Sequence, residues 1–186
     1  YEYSETAPQP SSRGKVKSKD KYNGAITVVD PATLPLQNAI VRVRGDGSRK
    51  VLVIHDPYCP YSANLEKELN KVDNVTIYTF IAPILNNNKS SKNWKTSNNL
   101  LCQPDNQSSA QAIDAWFLKR DEPNAASGSC DAKISGTLNA FMGVVDAELG
   151  HNLGRTSPSL ISLKHNVVYS GASYLDREII EKILNL

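Results

Sequence analysis

Apolar positions along the chain follow two periods. "KVLVIH" (50–55) and "NVTIYTFIA" (74–82) are continuous β-branched and apolar runs, the pattern of strands covered on both faces. Between them Leu65, Leu69 and Val72 recur at i, i+4 and i+7, which predicts an amphipathic helix over 60–72. Strand, helix and strand at that spacing make a βαβ unit, whose strands run parallel. Upstream, "AITVVD" from Ala25 is a short β-type run. In "LPLQNAIVRVR", Leu36, Ala39, Ile40 and Val43 sit at helical spacing, and "GDGS" then breaks the pattern. Downstream, Ser108 or Ser109 is a candidate cap for a helix carrying Ile113, Trp116 and Phe117. A further helix is expected after Asp131, with Ile134, Leu138, Phe141 and Val145 along one stripe. The chain then returns to strands in "SLISLK" and "VVYSG", with a turn at His165-Asn166, and closes with a helix from near Ser173 carrying Leu175, Ile179 and Ile183.

The predicted order, βαβ, helical insertion, ββα, is an α/β arrangement with the thioredoxin topology and extra helices in its middle. Residues 1–23 show no such period. "APQPSSRGKVKSKDK" is rich in Pro, Ser and Lys and reads as a flexible, solvated tail. We place a flexible tail over 1–31, a single domain over 32–186, and a linker helix at about 34–44. Arg13, Lys15, Lys17, Lys19 and Lys21 form a basic stretch that is read as solvating the tail. The formal net charge of +2 gives no reason to expect nucleic acid as a partner. No apolar run approaches the roughly 18 residues needed to cross a bilayer, so no membrane insertion is expected. The chain opens at Tyr1 with no apolar signal region, so any leader is expected to have been removed or to lie outside it.

Composition changes this picture mainly through the cysteines. There are 3 among 186 residues, and an odd count suggests one disulfide plus one free or reactive thiol. Cys102 and Cys130 lie 28 positions apart in polar, turn-rich sequence. If bridged, they would stabilise the fold by roughly 3–4 kcal/mol and imply an oxidising compartment. The competing reading is two reduced, buried cysteines. Cys59 follows a predicted buried strand and precedes Pro60, the residue type best suited to the first helical position. A sulfur there meets unpaired backbone N–H groups and the positive end of the helix dipole, which favour the thiolate, the species that attacks disulfides. Ser62 stands where a Cys-x-x-Cys motif would have its second thiol. A hydroxyl forms no stable bond to sulfur and cannot resolve a mixed disulfide. A second candidate element is "RTSPSLI" (155–161), where a proline just before a β-run suggests either a cis Ser157–Pro158 bond or an ordinary trans turn.

Together these residues resemble the periplasmic disulfide isomerases of the DsbC and DsbG kind, from about Leu34 to the C-terminus. "LPLQNAIVRVRGDGSRKVLVIHDPYCPYSANLEKEL" looks like that family's linker helix, first strand and active-site helix, with Asp56 three residues before the cysteine. "VTIYTFIAPIL" looks like its second strand, "LLCQPD" and "SCD" sit where members carry an outer cysteine pair, and "TSPSL" resembles its Thr-cisPro loop. The resemblance implies a periplasmic thiol–disulfide exchange protein with Cys59 as nucleophile, Pro158 cis, and a structural Cys102–Cys130 disulfide. It also implies substrate contacts from Pro60, Tyr61, Ser157 and Pro158, substrate proteins bearing disulfides or thiols, and a membrane thiol reductase or oxidase as redox partner. No cofactor is implied. The chain departs from the family at Ser62, which is either an engineered change of the kind that traps mixed disulfides or a natural monothiol variant. It departs again in having no sixty-residue dimerisation domain before Leu34, so a monomer is expected.

Other chemistries fit less well. A zinc site would have to draw on the cysteines and on His55, His151 and His165, which offer no close-spaced pair except His55 and Cys59. A serine hydrolase would need a G-x-S-x-G elbow that is absent from the sequence. His55 reads as a strand-end residue near the thiol. The rival from another class is a redox-silent thioredoxin-fold adaptor or scaffold in a bacterial envelope assembly, which Ser62 would suit.

Overall fold

A computed structural model describes residues 18–19, 25–26, 34–143, 145–146, 151–164 and 167–185. Its strands in chain order are β1 (Ser18–Lys19), β2 (Ala25–Ile26), β3 (Ile40–Arg44), β4 (Arg49–His55), β5 (Val75–Ile81), β6 (Val145–Asp146), β7 (His151–Asn152), β8 (Ser159–Ser162) and β9 (Val167–Ser170). The helices are α1 (Pro60–Leu69), α2 (Lys92–Leu101), α3 (Asn106–Lys119), α4 (Asp131–Met142) and α5 (Arg177–Leu184).

The main sheet runs β1-β2-β9-β8-β4-β5-β3, with five longer strands and the two-residue β1 and β2 added at the β9 edge. β4 and β5 pair in parallel from Arg49–Val75 to His55–Ile81, with α1 as their crossover. β8 lies antiparallel against β4, β9 against β8, and β3 against the far side of β5. The continuous apolar run of β4 follows from burial on both faces. Val51 and Val53 pack toward α1 and α5 with Leu65, Leu69, Ile180 and Ile183. Leu52 and Ile54 pack on the other face with Phe80, Phe141, Ile161 and Val168. A third cluster, built on Trp94, Leu100, Ile113, Trp116 and Phe117, joins the inserted helices to Ile81 and Ile40. Because successive strand residues alternate faces, one seven-residue strand supplies two cores.

Several expected elements differ. The linker helix at 34–44 is absent: Leu36–Asn38 form one 3₁₀ turn and Ile40–Arg44 form a strand. "IVRVR" satisfies a period of two as well as a helical one, and pairing with β5 selects the strand. Val43 is then exposed, while Arg42 turns inward and is buried. In the stretch read as a flexible tail, β1 and β2 pair with each other and β2 pairs with β9. The rest of 1–31 lies outside the described residues, as does the His165-Asn166 turn. α1 ends at Leu69 rather than 72. The α3 cap is Asp105, whose carboxylate accepts from Ser108 N–H, rather than Ser108 or Ser109. α4 stops at Met142, leaving Val145 in β6. The last helix starts at Arg177, capped by Asp176, after a separate 3₁₀ turn over Ala172–Tyr174.

Candidate functional site

Cys59 is the N-cap of α1, with extended backbone (φ −79°, ψ 116°) and Pro60 as the first helical residue. Proline fits because its missing N–H would have no helical partner there and its fixed φ is helical. The chain reaches this point through a tight turn in which Cys59 N–H donates to the Asp56 carbonyl at 3.1 Å. Cys59 is the free cysteine of the chain and is 4% exposed. Its thiol lies 3.6 Å from the carbonyl oxygen of Ser157, within range of a weak S–H donor. The Ser157–Pro158 bond is cis. Ser62, one helical turn into α1, is fully buried, and its hydroxyl meets the Ser157 hydroxyl at 3.0 Å. The same Ser157 oxygen accepts from Asp56 N–H at 3.0 Å. Ser157 therefore joins positions 56, 59 and 62, and a group at 62 shares the site with Cys59. Pro60 and Tyr61 are exposed beside the sulfur. Pro158 is buried, and its carbonyl accepts from Ala172 N–H at 2.8 Å.

The turn before the cysteine is held from outside by the helical insertion. The buried Asp56 carboxylate accepts from Tyr58 N–H at 2.7 Å, Leu85 N–H at 2.6 Å and the Asn93 amide at 2.9 Å. The Pro57 carbonyl accepts from the Trp116 indole at 2.7 Å and the Arg120 guanidinium at 2.8 Å. The Tyr58 hydroxyl pairs with Thr96 Oγ1 at 2.8 Å. Each residue from 56 to 58 is thus tied to α2, α3 or the loop after β5, which fixes the approach to Cys59.

Sequence reasoning did not find the charged network under α1. The Arg42 guanidinium pairs with both carboxylate oxygens of Glu66, at 2.7 and 2.9 Å, and reaches Asp114 at 2.8 Å and Thr79 at 2.8 Å. Glu66 also meets His55 Nε2 at 2.6 Å, and the His55 ring sits 4.8 Å from Phe117. Burial alone would push the Glu66 carboxyl up, but the Arg42 charge and hydrogen bonds, with His55, hold it well below the usual carboxylate range. Burial would likewise push Arg42 down, and Glu66 with Asp114 reverse that, so the pair stays ionised. His55 is therefore engaged by Glu66 on the inner side of α1. One signal was readable: Glu66 falls on the α1 stripe of Ser62, Leu65 and Leu69, where a lone carboxylate needs a buried cation.

Cys102 and Cys130 are joined as a disulfide with Cα atoms 5.8 Å apart, linking the C-cap of α2 to the N-cap of α4. No described helix is long and apolar enough to cross a membrane.

Residues 36–124 match the family model described as a thioredoxin-like domain. Over 109 residues the chain is 35% identical to the "Probable thiol:disulfide interchange protein DsbC" of Bordetella avium (strain 197N). Over this stretch the chain is similar to the DsbC thiol:disulfide interchange proteins. The match covers 59% of this chain and 36% of the length of that relative. A protein of the same description from Bordetella pertussis is 36% identical over 101 residues, again about a third of its length (33%). Among solved structures, the disulfide interchange protein from Neisseria gonorrhoeae superposes with a TM-score of 0.62 at 29% identity, covering 82% of this chain and 96% of that one. A conserved protein of unknown function from Enterococcus faecalis V583 shares the fold at 12% identity and a TM-score of 0.52. The α/β fold is thioredoxin-like, as the strand order and these relatives agree.

Proposed function

We propose that this chain carries out thiol–disulfide exchange on proteins of the bacterial periplasm, with Cys59 as the nucleophile. The observation that carries the reading is the placement of Cys59 at the start of α1, facing the Ser157 carbonyl across the turn. In the forward step the Cys59 thiolate attacks one sulfur of a substrate disulfide. A Cys59–substrate bond forms, the substrate S–S bond breaks, and its second sulfur leaves as a thiolate. A substrate thiol attacking the adduct returns Cys59 and leaves the substrate with a new pairing, which is isomerisation. Ser62 forms no bond to sulfur, so the step in which a second active-site thiol expels the substrate is missing. Tyr61 and Pro60 offer exposed surface to the substrate, and Ser157 offers backbone beside the sulfur. The buried Pro158 shapes that loop. The Cys102–Cys130 bond has a structural part and fits an oxidising compartment. Recycling falls to a membrane thiol reductase or oxidase.

The test is mass spectrometry of the protein after incubation with a disulfide-bonded peptide. We expect a peptide adduct on Cys59 that persists, none in Cys59→Ser, and in Ser62→Cys release of the peptide as a thiol, one per protein, as a disulfide forms between Cys59 and the new thiol at position 62. If Cys59 forms adducts no faster than a free cysteine in solution, the exchange reading falls and the redox-silent adaptor takes its place.

A further inference from the structure

A groove of about 830 Å³ opens between the loop after β5, α4 and the segment leading to Ser157. Its size suits a ligand site, and the exchange chemistry itself does not require it. One wall begins at Leu85, whose N–H is fixed to the Asp56 carboxylate. The other includes Arg155, two residues before Ser157. One wall is thus bonded to the turn that carries Cys59, and the other is two residues from Ser157, which contacts that turn. Leu85, Trp94 and Leu138 give the groove an apolar lining, while Asn86, Asn87 and Asn139 place amides that can both donate to and accept from a peptide backbone.

The charged residues that line it have one sign. Lys89 and Arg155 line the groove, and no carboxylate does among the described residues. Nearer the sulfur, the Lys92 ammonium sits 5.7 Å from the Tyr58 ring and Arg120 holds the Pro57 carbonyl. The nearby acids are already engaged. Asp56 is buried under its N–H donors, and Asp131 takes the Trp94 indole at 2.7 Å. Asp131, 42% exposed, also stands 3.8 Å from Lys89, whose side chain is still 67% exposed.

We propose that this groove receives an extended, acidic segment of the polypeptide whose sulfur meets Cys59. The proposal rests on the exchange reading for its purpose, and it is separable from that reading by experiment. Two peptides identical except for Glu or Lys residues around one cysteine, activated as the 2-thiopyridyl disulfide, are mixed with the protein at low ionic strength. Attack by Cys59 forms the Cys59–peptide disulfide and releases 2-thiopyridone, read by absorbance. The acidic peptide should react about tenfold faster. That preference should shrink as salt is raised and collapse in the Lys89→Glu, Arg155→Glu double variant, both sites being exposed. Equal rates for the two peptides, or a preference for the basic one, overturn the proposal. Serine versions of the peptides, labelled and followed by fluorescence anisotropy, must bind in the same order, so the groove is judged even if Cys59 proves unreactive. Slow reaction with the small neutral 2,2′-dipyridyl disulfide would count against the exchange reading instead.

Discussion

At the residue scale, Glu66 carries the most consequence for its size. It is an ionised carboxylate inside the protein, held by Arg42 and His55. Removing one member of a buried ion pair leaves the other charge uncompensated, which costs about 3–5 kcal/mol. We expect Glu66→Gln to fall near the lower end in urea unfolding at neutral pH, because Asp114 still faces Arg42. The pH dependence has a definite sign. The Glu66 pKa is depressed in the folded protein, so its contribution is present above the unfolded value of about 4.3 and is lost as pH falls below it. The stability gap between wild type and Glu66→Gln should therefore narrow as unfolding is repeated in progressively more acid buffer. A gap that stays constant would show that the pairing is not its source. The helix-start placement of Cys59 was legible because its signal is local: a strand end, a thiol and a proline. The network was not, because Arg42 and Glu66 become partners only once β3 is known to be a strand that turns Arg42 under α1.

At the element scale, the β3–β4 connection, which carries the chain across β5, depends on its turn. Gly45 has φ +59°, and a Cβ there would run into the Asn74 and Asp73 side chains. Gly45→Ala should cost of order 1–2 kcal/mol from the left-handed backbone alone, and more from the clash, read as a lowered urea midpoint with unchanged slope. The strand before that turn, β3, is where sequence reasoning chose the wrong element. The five residues of β3 match helical and alternating periods equally, so only the pairing of Ile40 with Thr79 and its neighbours decides between them. α2 passed unnoticed for a related reason. Its buried face includes Asn93, Thr96 and Ser97, polar side chains that broke the apolar stripe. Two of these are partners of the turn before Cys59, Asn93 with Asp56 and Thr96 with Tyr58, so the polarity that hid the helix belongs to its contacts with that turn. β4 and β5 were legible because apolar residues dominate their buried positions, and α1 because Leu65 and Leu69 mark its inner face.

At the scale of the whole molecule, the insertion between β5 and β8 is bound to the sheet in several ways. The Cys102–Cys130 bond joins α2 to α4 across 28 positions. Replacing both cysteines with alanine should lower stability by about 3–4 kcal/mol in the chain-entropy model, measured by urea or thermal unfolding. A loss confined to well under 1 kcal/mol would show that the helices hold each other without it. Asn106 at the start of α3 covers the open edge of β3, its amide donating to the Val41 carbonyl at 2.8 Å and accepting from Val41 N–H at 2.9 Å, and Asp114 reaches Arg42 from the same helix. The hold on Asp56, Pro57 and Tyr58 has a consequence for anyone cutting the protein down to its sheet. A minimal version lacking the inserted helices would leave an edge strand open to pairing with other chains, a buried arginine short of a partner, and the turn before Cys59 stripped of its outside supports. Grafting runs the same way: a host scaffold given this insertion would also have to be given Val41, Arg42 and the Asp56–Tyr58 turn, so the unit that can be transplanted is discontinuous in the chain.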